Sequence, residues 1–222
     1  MKFKFLHAAI AGMIMIVSST ANAGIITWDE VQNSTDFTDV LNSGNTVEAI
    51  NATKSNSGSV TVNGIQFNNA ANLLSENGYI GALNSLSTGD SNYDNFLNSF
   101  NYGNGANLTS LNIGGGNLVA GVNYSIQLWF TDLRSGMDVR DMYFDDNNGN
   151  SIKLNANGSE FGQFVIGRFT ATGSTQELNL DPLGFGNSHI TGYQVRVPEP
   201  STLAILALAI IGLASRRFKK QS

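Results

Sequence analysis

The sequence predicts an all-β fold, an antiparallel β-sandwich of jelly-roll-like form that carries one short helix. Three observations indicate this class. Short segments alternate apolar and polar residues, turn formers recur at intervals of roughly 8 to 12 positions, and no run shows the βαβ alternation that a parallel sheet requires. Of the 222 residues, 24 are glycine and 28 are asparagine, and this abundance of turn formers favours short strands.

A period of two residues indicates the individual strands. In NYSIQLWFTD, alternate residues from Tyr124 to Phe130 share one apolar face. The segment VTVNGIQF places Asn63 and Gly64 between two β runs, which predicts a hairpin with a left-handed turn. RDMYFDDNNGNSIKL predicts a second hairpin that turns near residues 147–150, and three further strands are predicted in FGQFVIGRFTA, TQELNL and HITGYQVRV.

The one predicted helix lies in DSNYDNFLNSFNYG. Its apolar residues recur at helical spacing and are Tyr93, Phe96, Leu97 and Phe100. Asp90 or Ser91 is the expected N-cap, and Gly103 is the expected stop.

Charge and cysteine content exclude several classes of function. Residues 24–196 contain six basic and sixteen acidic side chains, a net charge of −10, which repels phosphate backbones and argues against nucleic acid as a partner. The chain has no cysteine, which excludes thiolate catalysis, zinc–thiolate sites and iron–sulfur clusters.

The first 23 residues have the layout of a secretory signal peptide. A basic start is followed by an apolar stretch and by small residues, so cleavage is expected after Ala23, which makes Gly24 the first residue of the mature protein. An uncleaved anchor or a buried N-terminal helix is the alternative. The apolar stretch is short for a membrane span.

The last segment, residues 197–222, combines a stiff peptide, an apolar run and a basic end. Pro198 and Pro200 hold the chain around Glu199 extended. Residues 203–214 are apolar and cover roughly 18 Å as a helix, so with their flanking residues they just span a hydrocarbon core of about 30 Å. The basic residues expected to stay in the cytoplasm are Arg216, Arg217, Lys219 and Lys220. A plain linker before a tail anchor is the alternative reading.

This tail, behind a signal peptide, resembles the PEP-CTERM sorting signal. Pro198, Glu199 and Pro200 match its motif, and Arg216 and Arg217 match its basic end. In that family a membrane-integral exosortase with a cysteine protease-like mechanism processes the tail, and the proteins belong to bacteria that make exopolysaccharide and biofilm matrix. The resemblance implies an exosortase as partner, a membrane anchor before processing, and the envelope surface or extracellular matrix as destination.

Residues 24–196 form the expected sandwich domain. Within it, residues 108–196 are similar to a jelly-roll module of exported bacterial proteins that resembles galactose-binding-like sandwiches. That resemblance implies glycan attachment as a function and supplies no catalytic motif.

A glycan-binding face is one candidate site. Trp129 shares its strand face with Gln127 and is expected to stack on a sugar ring, with Asp132, Arg134 and Arg140 converging nearby. In the alternative, Trp129 packs under the helix or a loop, and one of the two arginines forms a structural ion pair with Asp132 or Asp141.

Metal and catalytic sites have less support. DDNNGN does not fit the calcium loop of a helix–loop–helix site, because both key carboxylates are missing. A looser calcium site would use Asp132, Asp145 or Asp146, whereas a plain solvated turn is the alternative. His189 is the one histidine of the mature chain, so relay triads lack parts, and a structural role is expected for it.

The sequence therefore predicts a non-enzymatic, exported surface or matrix protein that binds exopolysaccharide or associates with biofilm. A secreted polysaccharide-active enzyme of jelly-roll form and a purely structural adhesion protein are the alternatives. No cofactor other than calcium is expected.

Overall fold

The computed structural model describes residues 23–54, 58–74, 77–103, 105, 107–137, 140–155, 161–183 and 186–199. Its regular elements are fifteen strands, one α-helix and a 3-10 turn at Phe37–Asp39. In chain order they are β1 (Thr27–Trp28), β2 (Gln32–Asn33), β3 (Asn45–Asn51), β4 (Val60–Val62), β5 (Ile65–Asn69), β6 (Asn77–Ile80), α1 (Ser91–Leu97), β7 (Ser99–Gly103), β8 (Thr109–Ile113), β9 (Asn123–Phe130), β10 (Asp141–Asp145), β11 (Ser151–Asn155), β12 (Gln163–Thr170), β13 (Gln176–Asp181), β14 (Ser188–Ile190) and β15 (Gly192–Val197).

The strands form three sheets. The large sheet has the order β1-β12-β9-β15-β3-β5-β4, with β2 also paired to β12. The second sheet has the order β11-β10-β13-β8, and a small third sheet has the order β14-β7-β6. Nearly all pairings described are antiparallel, and β3 with β5 forms a short parallel pair. The predicted all-β class is confirmed.

The main core fills the space between the large and the second sheet. The large sheet contributes Ile126 and Leu128 from β9 and Val165 from β12, and the second sheet contributes Phe144 and Leu180. All five side chains are fully buried. The alternation predicted from Tyr124 to Phe130 is confirmed, because these alternate residues face this core.

A second core covers the opposite face of the large sheet. Trp129 of β9 lies there, and α1 and the β4–β5 hairpin pack over it. The Trp129 ring meets the rings of Phe96 and Phe67 edge-on, at centroid distances of 5.0 Å and 5.7 Å, and its Nε1 donates to the Tyr93 hydroxyl at 3.2 Å. Since both faces of the sheet centre are covered, β9 is buried on both sides.

Local signals predicted the turns and the start of the helix correctly. Asn63 and Gly64 both have positive φ, at 47° and 78°, and join β4 to β5 as a left-handed hairpin turn. The β10–β11 hairpin also forms. The N-cap of α1 is Asp90, whose carboxylate accepts hydrogen bonds from the backbone N–H groups of Asn92 and Tyr93.

The predicted end of the helix and one predicted strand are wrong. The helix ends at Leu97, and Phe100 lies in β7, because the chain after Asn98 pairs with β6 instead of continuing to Gly103 as a helix. HITGYQVRV is two strands, β14 and β15, in different sheets. Thr191 separates them, and its backbone N–H donates to the carbonyl oxygen of Trp129 at 3.1 Å.

We expect Trp129→Ala to lower the free energy of unfolding by about 3 to 5 kcal/mol, because it empties the centre of the second core. Urea unfolding of the full chain in detergent measures the loss. Trp28→Ala is the matched control, since Trp28 is only partly buried, and its loss should be clearly smaller. Equal losses for the two variants would contradict the assignment of Trp129 as a core anchor.

Candidate functional site

The structure overturns the proposed sugar platform at Trp129. This side chain is fully buried beneath α1 and the β4–β5 hairpin, so its ring has no face to offer a glycan. The alternative reading, in which Trp129 packs under the helix, is the correct one. Gln127 is also fully buried and is not a surface group that a sugar can reach.

Gln127 belongs instead to a buried polar ladder that fixes a loop to the large sheet. Its amide nitrogen donates to the carbonyl oxygen of Asp39 at 2.6 Å, and its Oε1 accepts from the backbone N–H of Leu41 and from the side-chain amide of Gln194. Arg196 continues the ladder. The acceptors of its guanidinium are the side-chain oxygens of Gln194 and Thr46 and the carbonyl oxygens of Asn42, Ser43 and Gly44.

The structure brings Asp132, Arg134 and Arg140 together as an ion-pair cluster. Arg134 binds the Asp132 carboxylate with two nitrogens, at 2.6 Å and 2.8 Å, and Arg140 Nη1 binds it at 2.7 Å. Asp132 is fully buried. The alternative prediction of a structural ion pair is therefore confirmed. The cluster is not part of a glycan face with Trp129.

The carboxylates of the looser calcium site each have partners within the protein. Asp146 is fully buried and accepts hydrogen bonds from the backbone N–H groups of Ile26, Asn148 and Asn150. Asp145 accepts from the backbone N–H of Asn147, and Asp132 is held by its two arginines. Among the described residues, no three of His, Cys, Asp or Glu are grouped as a metal site.

The predicted cleavage point lies on the folded domain. The backbone N–H of Gly24 donates to Gln176 Oε1 at 2.7 Å, and the carbonyl oxygen of Ala23 accepts from the Asn148 side chain at 2.8 Å. A Cβ on Gly24 would lie 2.4 Å from the Thr170 carbonyl oxygen, so this position requires glycine.

The sorting motif begins where the large sheet ends. β15 ends at Val197, and Pro198 and Glu199 follow at once. Glu199 Oε1 accepts a hydrogen bond from the backbone N–H of Gly44 at 3.3 Å. Pro200 and the basic residues Arg216, Arg217, Lys219 and Lys220 lie outside the described residues, as does most of the signal peptide. The described part of the chain holds no helix that is both long and apolar enough to cross a membrane.

A polar cleft beside α1 is an open site that sequence reasoning missed. Its volume is about 580 Å³. One wall comes from Asn92 and Asn95 of α1 and from Asn98, the C-cap of that helix. The end of β3 and the β4–β5 hairpin supply the other wall, and Ile80 is half-exposed at the cleft. The remaining lining residues are Asn51, Thr53, Lys54, Ser59, Val60, Thr61 and Ser99.

One signal for this cleft was present in the sequence. Asn92, Asn95 and Asn98 recur at a spacing of three, which places them on one side of a helix. The apolar residues of α1 lie on its other side and predict its packing on the sheet. The opposite wall comes from residues some 30 to 50 positions earlier, and no local pattern predicts that contact.

Comparison with known proteins identifies the tail. Residues 196–220 match the family described as the PEP-CTERM protein-sorting motif. No curated protein and no solved structure matches the chain. The chain therefore carries a PEP-CTERM signal, which supports sorting by exosortase and implies export with membrane-linked processing toward the cell surface.

We expect Arg196→Met to lower the free energy of unfolding by about 2 to 4 kcal/mol, because three partly buried carbonyl oxygens lose their donor. Urea unfolding of the full chain in detergent measures this. Arg168→Met is the control, since Arg168 forms a largely exposed pair with Asp29, and its effect should stay within about 0.5 kcal/mol. A similar loss in both variants would contradict the role of Arg196 as the donor that holds these carbonyl oxygens.

His189 makes stability depend on pH. Burial, and then the charges of Arg140 and Arg134, hold the pKa of His189 well below its ordinary value. The unfolded chain therefore binds a proton below about pH 6.5 that the folded chain does not, and stability falls as the pH drops through that range. We expect a loss on the order of 1 kcal/mol per pH unit, and we expect His189→Phe to remove it. Equal slopes of unfolding free energy between pH 7 and pH 5 would contradict this.

Proposed function

We propose that the sorted protein is a non-catalytic module of the cell surface or matrix that associates with polysaccharide through the polar cleft beside α1. The size and lining of this cleft carry the proposal. A volume of about 580 Å³ lies within the range of small-ligand sites and accommodates a few sugar rings. The matching PEP-CTERM motif supports the route by which the domain reaches that polymer.

The chemistry of the lining favours a neutral, hydroxyl-rich ligand. Asn92 and Asn95 are exposed and contribute amides that both donate and accept. Ser59 and Thr61 add exposed hydroxyl groups. Ile80 offers an apolar surface to the C–H face of a ring, since its side chain is half-exposed. Among the described residues that line the cleft, Lys54 has the one charged side chain.

The same lining argues against the enzyme alternative. Glycoside hydrolysis uses two carboxyl groups on either side of the scissile bond, and none of the described lining residues is Asp or Glu. His189, a candidate general base by residue type, is fully buried in β14. Both observations support binding without turnover.

Binding of the full chain in detergent to a panel of neutral oligosaccharides tests the proposal. We expect the double variant Asn92→Ala, Asn95→Ala to bind at least tenfold more weakly, because each lost hydrogen bond costs about 1 kcal/mol. Both asparagines are exposed, so the fold should persist.

Asn112→Ala is the matched control, because Asn112 is an exposed asparagine on β8 away from the cleft. The control variant should bind as the unchanged protein does. If no oligosaccharide of the panel binds, or if the double variant binds as well as the control, the cleft is not a polysaccharide site.

A further inference from the structure

The small third sheet has one face that is almost entirely aromatic. Tyr79 pairs with Phe100, and Tyr102 pairs with His189, and because paired residues point the same way, these four rings share a face. Ile80 and Ser99, which line the polar cleft, point to the other side of the same two strands. The aromatic face is therefore separate from the cleft.

Two arginines from the segment between β9 and β10 lie on this aromatic face. The Arg134 guanidinium carbon is 4.2 Å from the centroid of the Tyr79 ring and 5.2 Å from that of Phe100. Arg140 is almost fully buried, and its Nη2 donates to the Asn187 carbonyl oxygen. A pocket of about 160 Å³ lies between these arginines, the rings of Tyr79, Phe100 and Tyr102, and Asn187.

The charges at this pocket do not balance. Among the residues that the structure describes, two guanidinium groups share the one carboxylate of Asp132, so these three side chains together carry a net charge of +1. His189 stacks between Phe100 and Phe130 and adds no charge, because its pKa is held well below the ordinary value by burial and by the two arginines. A lasting positive charge is notable in a domain whose net charge is −10.

The arginines also keep donors outside the ion pairs. Arg134 uses Nε and Nη2 for Asp132, and its guanidinium also has a side-chain hydrogen bond with Tyr79. Arg140 Nε is buried and has no hydrogen-bond partner among the described residues. A buried donor without a partner is uncommon in folded proteins.

We propose that this arginine–tyrosine pocket binds a single oxyanion group, a carboxylate or a phosphate, as a second site in addition to the polar cleft. The positive charge of the two guanidinium groups attracts such a group, and the pocket is large enough for it and too small for a whole oligosaccharide. Its two natural sources are the carboxylate of an acidic sugar and free inorganic phosphate. The tyrosine rings beside the arginines favour the sugar.

An NMR titration of the full chain in detergent tests the pocket, with the arginine side-chain signals as the readout. The probes are methyl β-glucuronide, uncharged methyl β-glucoside and inorganic phosphate. We expect the glucuronide to shift the Arg134 and Arg140 signals and the glucoside to leave them in place. Arg134→Gln should weaken anion binding at least tenfold, because it removes the positively charged guanidinium group.

Arg168→Gln is the matched control, because Arg168 is an exposed arginine on β12 whose partner is Asp29. This variant should bind as the unchanged protein does. Arg134→Lys keeps the positive charge and loses the planar guanidinium, so it should bind the anion with intermediate affinity. This variant also serves as the test if Arg134→Gln does not fold.

The outcomes separate the two sources. Binding of glucuronide that depends on Arg134 supports an acidic-sugar site, and binding of phosphate alone with the same dependence supports a pocket for a free anion. If neither anion shifts the arginine signals, or if binding is the same in Arg134→Gln and Arg168→Gln, the proposal is overturned. The outcome is independent of oligosaccharide binding at the cleft.

Discussion

Burial of β9 and β15 on both faces is the constraint on which the rest of the structure depends. These two strands are neighbours at the centre of the large sheet. Their inner residues form the main core, and their outer residues lie under α1, the β4–β5 hairpin and the loop that carries Leu41. A sheet covered on both sides cannot keep free polar groups there, so Gln127, Gln194 and Arg196 must bond to one another and to that loop.

The positions of the two candidate pockets depend on the elements that pack around the centre of the large sheet. The helix that buries Trp129 turns its asparagines away from the sheet, and they become one wall of the polar cleft. The small third sheet separates the cleft on one side from the arginine–tyrosine pocket on the other. One element thus has the polar cleft on one side and the pocket with its two arginines on the other.

Patterns of neighbouring residues in the sequence correctly predicted the turns, strand faces and helix cap that depend only on those residues. The Asn63–Gly64 turn, the face shared by Tyr124 and Phe130 and the Asp90 cap all depend on residues a few positions apart. The partners of Trp129 lie on distant elements, and the ion pair of Arg140 depends on the path of a loop. The alternation of apolar and polar residues along a strand does not say what covers either face of that strand. For that reason the sequence predicted the correct face for Trp129 and left its role open between a sugar platform and a core residue.

The position of β15 links the fold to the sorting signal. It is the last strand of the described chain, yet it lies between β9 and β3, so the large sheet is completed only by residues that directly precede the motif. Arg196 is both the first residue of the matched motif and the residue that holds the carbonyl groups of the Asn42–Gly44 loop. The N–H of Gly44 then holds Glu199. Since a chain with β15 unpaired has none of these contacts, the geometry in which the domain presents Pro198 and Glu199 is a property of the completed sheet.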